Sequence, residues 1–330
     1  MAVSIADIQK LRAMSGAGLA DCKKALTESE GDIEKAMEII RKKGQAVAAK
    51  RSDREASEGC VLVKADGKFA AIIALKCETD FVAQNADFVA LTQQILDAAV
   101  AARCQTLDEV KALDLGGRTV ADAVVDRSGI TGEKMELDGY CTLEGEQVSV
   151  YNHQNKNGLC TMVALNMDVD PAYGHAVTMQ VAAMNPVALN EASVPAAIIE
   201  QEKAIAIDKT RKDQVDKYVE VKLKKAGYNP YYCATEEHQN EAIMKGYMTP
   251  EQVADAKSIM EAAAAEKLAN MPQAMIDNIV NGRIQKFYKE SCLMNQAFIQ
   301  DDKITVAQYL QQADKACVCT GFKRFTLRAE

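Results

Sequence analysis

Tryptophan is absent from this chain, and histidine occurs only three times in 330 residues. With so few large rings, one wide aromatic core is not available, and small, decentralised aliphatic cores are expected across two or three domains. No apolar run is long enough to cross a bilayer, and no charged-then-apolar leader opens the chain, so a cytoplasmic protein without a membrane role is expected. A Gly-rich phosphate loop of the Walker or dinucleotide type is also missing, which removes the usual means of holding a nucleotide in this chain. The net charge of -8 argues against a direct nucleic-acid partner, since phosphate binding needs concentrated Lys and Arg. One basic stretch, Arg41-Lys42-Lys43 with Lys50, Arg51 and Arg54, reads as a solvated face or linker.

Cysteine, by contrast, is plentiful, yet the ten residues are scattered without the framework of a small secreted domain. Reduced thiols are expected. Cys317-Val318-Cys319 and the histidines His153, His175 and His238 match no zinc spacing, so neither a metal nor another cofactor is expected.

In chain order, residues 1–43 carry three short helical patterns. Ser4 with Asp7 resembles a capping box before Ile5, Ile8 and Leu11, and Ser15-Gly16-Ala17-Gly18 breaks the helix. A second helix directs Leu19, Cys22 and Leu26 inward, and Asp32 caps a third. Units this short bury little alone, so this mini-domain must lean on something else. Gly44 to Glu58 has the composition of a tether or a lightly packed helical linker. Two apolar runs, Cys60–Val63 and Phe69–Leu75, then flank Ala65-Asp66-Gly67, a hairpin signal, and a helix carrying Phe88, Leu91 and Ile95 begins near Asn85.

The pattern recurs in Val148–Val150, Leu159–Leu165 and a helix over about Pro171–Met184. Ala74-Leu75 falls on Ala164-Leu165, and Glu78 and Asp80 fall on Asp168 and Asp170, but Phe81 falls on Pro171. A duplicated strand, strand, helix unit follows from this. Charged helical sequence from Pro195, interrupted at Gly227 and Asn229-Pro230 and restarting at Thr249-Pro250 and Pro272, reads as an antiparallel helical arm. A short helix after Thr305 and a strand over Cys317–Leu327 close the chain. The expected fold class is α+β: an N-terminal three-helix mini-domain, two related subdomains and an inserted arm. The expected domains are 1–54, 55–140, 141–194 with 290–330, and 195–289 for the arm.

Between the apolar run Phe69–Leu75 and the helix that begins near Asn85 lies Cys77-Glu78-Thr79-Asp80-Phe81-Val82-Ala83, a polar connection that carries a large ring. Glu78 and Asp80 admit an acid–base pair or a magnesium site, although a capping role for Thr79 or Asp80 is physically sufficient. Cys22, beside Lys23 and Lys24, admits an activated thiol, but its spacing with Leu19 and Leu26 suits a core residue. A thiol or carboxylate enzyme and a purely structural interaction module both remain open on this reading.

The segments Leu11–Leu26 and Cys77–Ala83 closely resemble the two signature segments of the translation elongation factor Ts family. Gly44–Gly59, Tyr151-Asn152-His153, Ala182–Pro186, Ile279–Arg283 and Phe322–Phe325 extend the resemblance over most of the chain. The resemblance implies a guanine-nucleotide exchange factor for elongation factor Tu with no chemical active site and a UBA-like N-terminal domain. It implies that Thr79, Asp80, Phe81 and Val82 form the loop that disturbs the partner's magnesium and phosphate site, with Phe81 as wedge and Asp80 as polar anchor. Leu11, Arg12, Gly16, Leu19 and Ala20 are implied for a first docking surface, and His153 for a second. Ser15 stands where the family usually has Thr, which keeps the hydroxyl. Extra helical sequence between about Ile207 and Lys267 has no counterpart in shorter members, and self-association through the arm is open. The chain ends soon after Phe325, without the final helical module of some members.

Overall fold

The computed structural model describes residues Val3–Leu327, so the outermost positions of the expected first and last domains, 1–2 and 328–330, lie outside the described residues. Three helices open the chain: α1 (Ile5–Ser15), α2 (Leu19–Glu28) and α3 (Ile33–Lys50). Ser4 starts α1 by accepting from the Asp7 amide, and Gly16 ends it at φ 71°, a left-handed conformation suited to glycine. Asp32 caps α3 through the amides of Glu34 and Lys35 at 3.0 and 3.1 Å. Leu11, Cys22, Ala25, Leu26 and Ala36 make the small core. Leu19, expected inward, is exposed instead, because it is the first residue of α2 and the core lies against the later turns.

Of the two readings of Gly44–Glu58, the helical linker holds as far as Lys50, where α3 ends, and the tether does not. A mid-helix glycine costs about 0.5–1 kcal/mol relative to alanine, so tertiary packing must sustain the helix there. Gly44 lies against Gly129 of a later helix, the support that the short mini-domain needs.

The first subdomain contains β1 (Glu58–Asp66), β2 (Phe69–Cys77), the single turn α4 (Asp80–Ala83), α5 (Ala86–Ala101), α6 (Leu107–Ala112), α7 (Val120–Thr131) and β3 (Glu136–Glu144). Its antiparallel sheet has the order β1-β2-β3. Alternation explains the unbroken apolar run of β2. Phe69, Ala71, Ile73 and Leu75 join Phe88, Ile95, Leu96 and Ala99 of α5 in one core. Ala70, Ile72 and Ala74, on the opposite face, join Cys160 and Met162 in another.

The second subdomain repeats the plan with β4 (Gln147–Asn152), β5 (Leu159–Leu165) and α8 (Pro171–Met184). A separate compact unit, Asn190–Gln296, follows. It holds α9 (Ala196–Lys225), α10 (Pro230–Cys233), α11 (Glu236–Met244), α12 (Pro250–Ala269) and α13 (Gln273–Ser291). Leu223 of α9 packs with Val253 and Ala256 of α12, while Ala206 of α9 packs with Ile276, Val280 and Ile284 of α13. Helices α12 and α13 thus run back along α9. Glu266 accepts from both Tyr218 and Lys222, and Arg283 pairs with Asp213 at 2.7 Å, tying the long helix at two further levels.

The chain then supplies β6 (Ala297–Phe298), β7 (Asp301–Thr305), α14 (Val306–Ala313) and β8 (Cys319–Thr326). Strand β8 completes the second sheet in the order β4-β5-β8. The internal repeat therefore extends to a third strand. Register shifts fall between Ala74 and Leu75 in one sheet and between Ala164 and Leu165 in the other, opposite Gly139 and Gly321 respectively. At Gly139 the reason is steric, because a Cβ would lie 2.4 Å from the Phe325 ring.

All ten cysteines are free thiols, and all but Cys141 are buried. Burial pushes the Cys60 and Cys160 thiols up, to about 11 and about 12, so they serve as packing rather than as nucleophiles. Among the described residues no helix is long and apolar enough to cross a membrane. Phe88 fills the first core with no solvent exposure. Phe88→Ala is therefore expected to destabilise the fold by roughly 3–5 kcal/mol in urea unfolding, and a loss below about 1 kcal/mol would contradict that placement.

Candidate partner-docking site

Where β2 leaves its sheet, Cys77 is still buried, and the chain must turn within two residues to enter α4. Thr79 makes the turn as an N-cap, accepting from the Val82 amide at 3.4 Å. One helical turn separates the side chains that follow. Val82 and Ala83 pack onto the α5 core, whereas Phe81 projects away with 85 % of its surface exposed. Asp80 is exposed beside it, at the helix start where a carboxylate suits the backbone dipole. Asn85 then caps α5 by accepting from the amides of Asp87 and Phe88.

Two carboxylates clamp this turn from opposite sides. Glu133, just past α7, accepts from the Glu78 and Thr79 amides at 3.1 Å each and from the Thr79 hydroxyl at 2.6 Å. Glu78 reciprocates by accepting from the Lys134 amide at 2.6 Å. Its remaining capacity takes Arg51 at 2.9 and 3.2 Å and Arg54 at 3.0 Å. Burial alone raises a carboxyl pKa, but the Lys134 amide and then Arg51 and Arg54 outweigh it and bring Glu78 down to about 2. Burial, and next the Glu133 charge, hold Cys77 up at about 12, and its thiol donates to the Thr79 carbonyl at 3.2 Å.

Helix α7 joins this loop to the mini-domain. Its Arg127 donates to Asn85 at 2.8 Å and pairs with Asp87 at 3.2 Å. In the first turn of the same helix, Asp122 meets Arg41 of α3 at 2.9 Å. The basic stretch is largely solvent-exposed, as expected, yet engaged in ion pairs. Arg41, Lys42, Lys43, Arg51 and Arg54 pair with Asp122, Glu38, Asp21 and Glu78, and most of these pairs brace separate elements.

Of the expected first docking surface, Arg12, Gly16, Leu19 and Ala20 are exposed around the α1–α2 turn. Leu11 is not. It is wholly buried in the mini-domain core, so its role is to hold that turn up from below. Met14, 54 % exposed, adds an apolar side chain that the sequence reading did not single out. His153 stands exposed at the end of β4, where its Nδ1 lies 3.1 Å from the Tyr151 hydroxyl. The Tyr151 ring also meets His175 of α8 edge-on, which fixes the support beneath His153.

No converging chemistry emerges from the candidates for catalysis. Glu78 is consumed by its arginines, and Asp80 faces solvent. Cys22 is fully buried, its sulfur 3.6 Å from the Ala17 carbonyl. Among the described residues no group of three His, Cys, Asp or Glu is placed to hold a metal ion. Sequence reasoning missed Glu133 and the arginine braces. Thr131-Gly132 marks the end of α7, but nothing local ties Glu133 to Thr79, more than fifty positions earlier.

Residues 78–329 match the sequence model of the family described as Elongation factor TS. The chain is 65 % identical over 330 residues to Elongation factor Ts of Phocaeicola vulgatus, covering all of both proteins. It is 63 % identical over 330 residues to Elongation factor Ts of Parabacteroides distasonis, and 44 % over 331 residues to that of Porphyromonas gingivalis, again over full lengths.

The depressed pKa of Glu78 has a defined sign. Its contribution is present above the ordinary 4.5 and drains away as pH falls towards about 2. Glu78→Gln is expected to be less stable than the parent at neutral pH by about 1–3 kcal/mol, with the gap closing in that acid window. Urea midpoints at neutral pH, near 4.5 and near 2 test this, and a gap of constant size would contradict it.

Proposed function

The chain belongs to the elongation factor Ts family, and from that membership we propose that it is a guanine-nucleotide exchange factor for elongation factor Tu. It binds the GDP-bound partner and disturbs the partner's magnesium and phosphate site, so that GDP leaves and GTP reloads. The observation that carries this reading is Phe81, a ring 85 % exposed on a turn that two glutamates hold rigid. A soluble protein gains nothing in its own stability from such a ring, whereas a partner groove that desolvates it gains roughly 1.5–3 kcal/mol.

No covalent step is needed. An exchange factor is a ligand that prefers the nucleotide-free partner, and by linkage its binding and GDP binding weaken each other equally. Each tenfold acceleration of release takes about 1.4 kcal/mol, so the ring alone supplies at most about two powers of ten. The rest must come from distributed contacts. Arg12, Leu19 and Ala20 around Gly16 supply one docking surface and His153 another, while Asp80 anchors the wedge. Thr79 and Val82 act from beneath, Thr79 through its cap and its bond to Glu133, and Val82 through the core. The compartment implied by a translation partner is the cytoplasm.

Stopped-flow release of labelled GDP from elongation factor Tu tests the proposal. The parent protein should accelerate release, and Phe81→Ala should slow the stimulated rate by about tenfold to a hundredfold with its thermal melt unchanged. An unaltered rate would remove Phe81 from the mechanism. His153→Ala should weaken partner affinity by roughly fivefold, about 1 kcal/mol, and equal affinity by calorimetry would remove it from the second surface.

A further inference from the structure

We propose that Gly129 is a positioning residue for nucleotide exchange: its contact with Gly44 sets the distance between the first docking surface and the Phe81 wedge. The inference rests on the exchange reading above and deepens it. Two surfaces that grip one partner deliver their binding energy to a wedge only when their separation is fixed, because slack lets each bind without loading the other.

The structure holds that separation through a closed ring of contacts. The α1–α2 turn sits on α3 by way of the mini-domain core. Helix α3 crosses α7 with backbone against backbone, since a Cβ at Gly129 would lie only 2.2 Å from the Gly44 Cα. From the end of α7, Glu133 reaches the Glu78 and Thr79 amides and the Thr79 hydroxyl that start the wedge turn. Arg51 and Arg54, directly after α3, close the ring on the Glu78 carboxylate. Gly16 leans on the same helix, its missing Cβ 3.4 Å from Ile130. Beside the crossing a cleft of about 300 Å3 opens between Met37 and Ile40 of α3 and Asp126 and Ile130 of α7. Alongside that gap the two helices meet backbone to backbone at the glycine pair, and Arg41 and Asp122 pair across the same crossing.

The crossing is asymmetric, which makes the proposal sharp. A Cβ at Gly44 would meet the Gly129 Cα at 3.5 Å, an ordinary contact, whereas one at Gly129 forces the helices apart. Alanine at the two positions is chemically the same change with opposite steric outcomes.

The test is the full-length protein with elongation factor Tu carrying labelled GDP, with release followed against factor concentration. Gly129→Ala should lower the saturating release rate by roughly tenfold while the half-saturating concentration stays within about threefold, because each surface still docks. Gly44→Ala should match the parent in both. Arg51→Gln with Arg54→Gln opens the ring at its other end without crowding a helix crossing, and should also lower the saturating rate severalfold; it serves if Gly129→Ala melts below the assay temperature. Saturating rates equal to the parent in the folded variants overturn the proposal, as does an equal loss in Gly44→Ala. A parent protein that fails to accelerate release defeats the exchange reading itself, a result distinct from either.

Discussion

The reciprocal capture between Glu78 and Glu133 is the constraint on which the rest of the site depends. Each carboxylate takes backbone amides from the other's segment, so two loops that meet only in space are stitched as firmly as neighbouring strands. A carboxylate that accepts several donors is fixed in orientation as well as in charge. Freed of it, the single turn of α4 would be far too short to persist by helix propensity. The exposed ring thus owes its fixed direction to charge chemistry rather than to hydrophobic packing of its own.

That stitch in turn relies on the doubly covered strand β2. Because its two faces enter different cores, the strand end at Cys77 is immobile, and the loop springs from a rigid base. The second subdomain uses the same geometry for another purpose. Where the first copy places Phe81, the second begins α8 with Pro171, capped by Asp170, and nothing protrudes. Duplication supplied two platforms, and their connections diverged: the first turns through the four residues of α4 with Phe81 exposed, the second enters the long helix α8 directly.

Much of this was legible in the residues. Caps at Ser4, Asp32 and Asn85 and the two-residue turn at Gly67 act locally and stand where their chemistry predicts, and the correspondence of Ala74-Leu75 with Ala164-Leu165 reappears as matching register shifts in the two sheets. Helix α7 went unread although Val120, Ala123 and Val124 follow helical spacing into the core, because its contacts with α3, Gly129 on Gly44 and Asp122 on Arg41, are made with residues far away in the sequence. The same logic hid the continuation of α3, since a glycine reads as a breaker unless its neighbour in space is known. Leu11, expected on the docking surface, is buried, and Leu19, expected inward as well as on that surface, is exposed, for a related reason. Helical spacing assigns a face, but only the packed neighbours decide which end of that face is covered.

The place of the helical unit in the chain has a consequence for how the molecule is made. Strand β3 completes the first sheet within its own subdomain, whereas β5 must wait for β8, with Leu159 pairing to Thr326 across the whole inserted unit. During synthesis the first sheet can therefore close early, while Ala70, Ile72 and Ala74 on its far face await part of their cover until the last residues emerge. Cover for that face therefore arrives in two stages, Val148, Val150, Cys160 and Met162 at mid-chain and Phe325 and Leu327 at the end, so the order of synthesis is also the order in which the shared core can close.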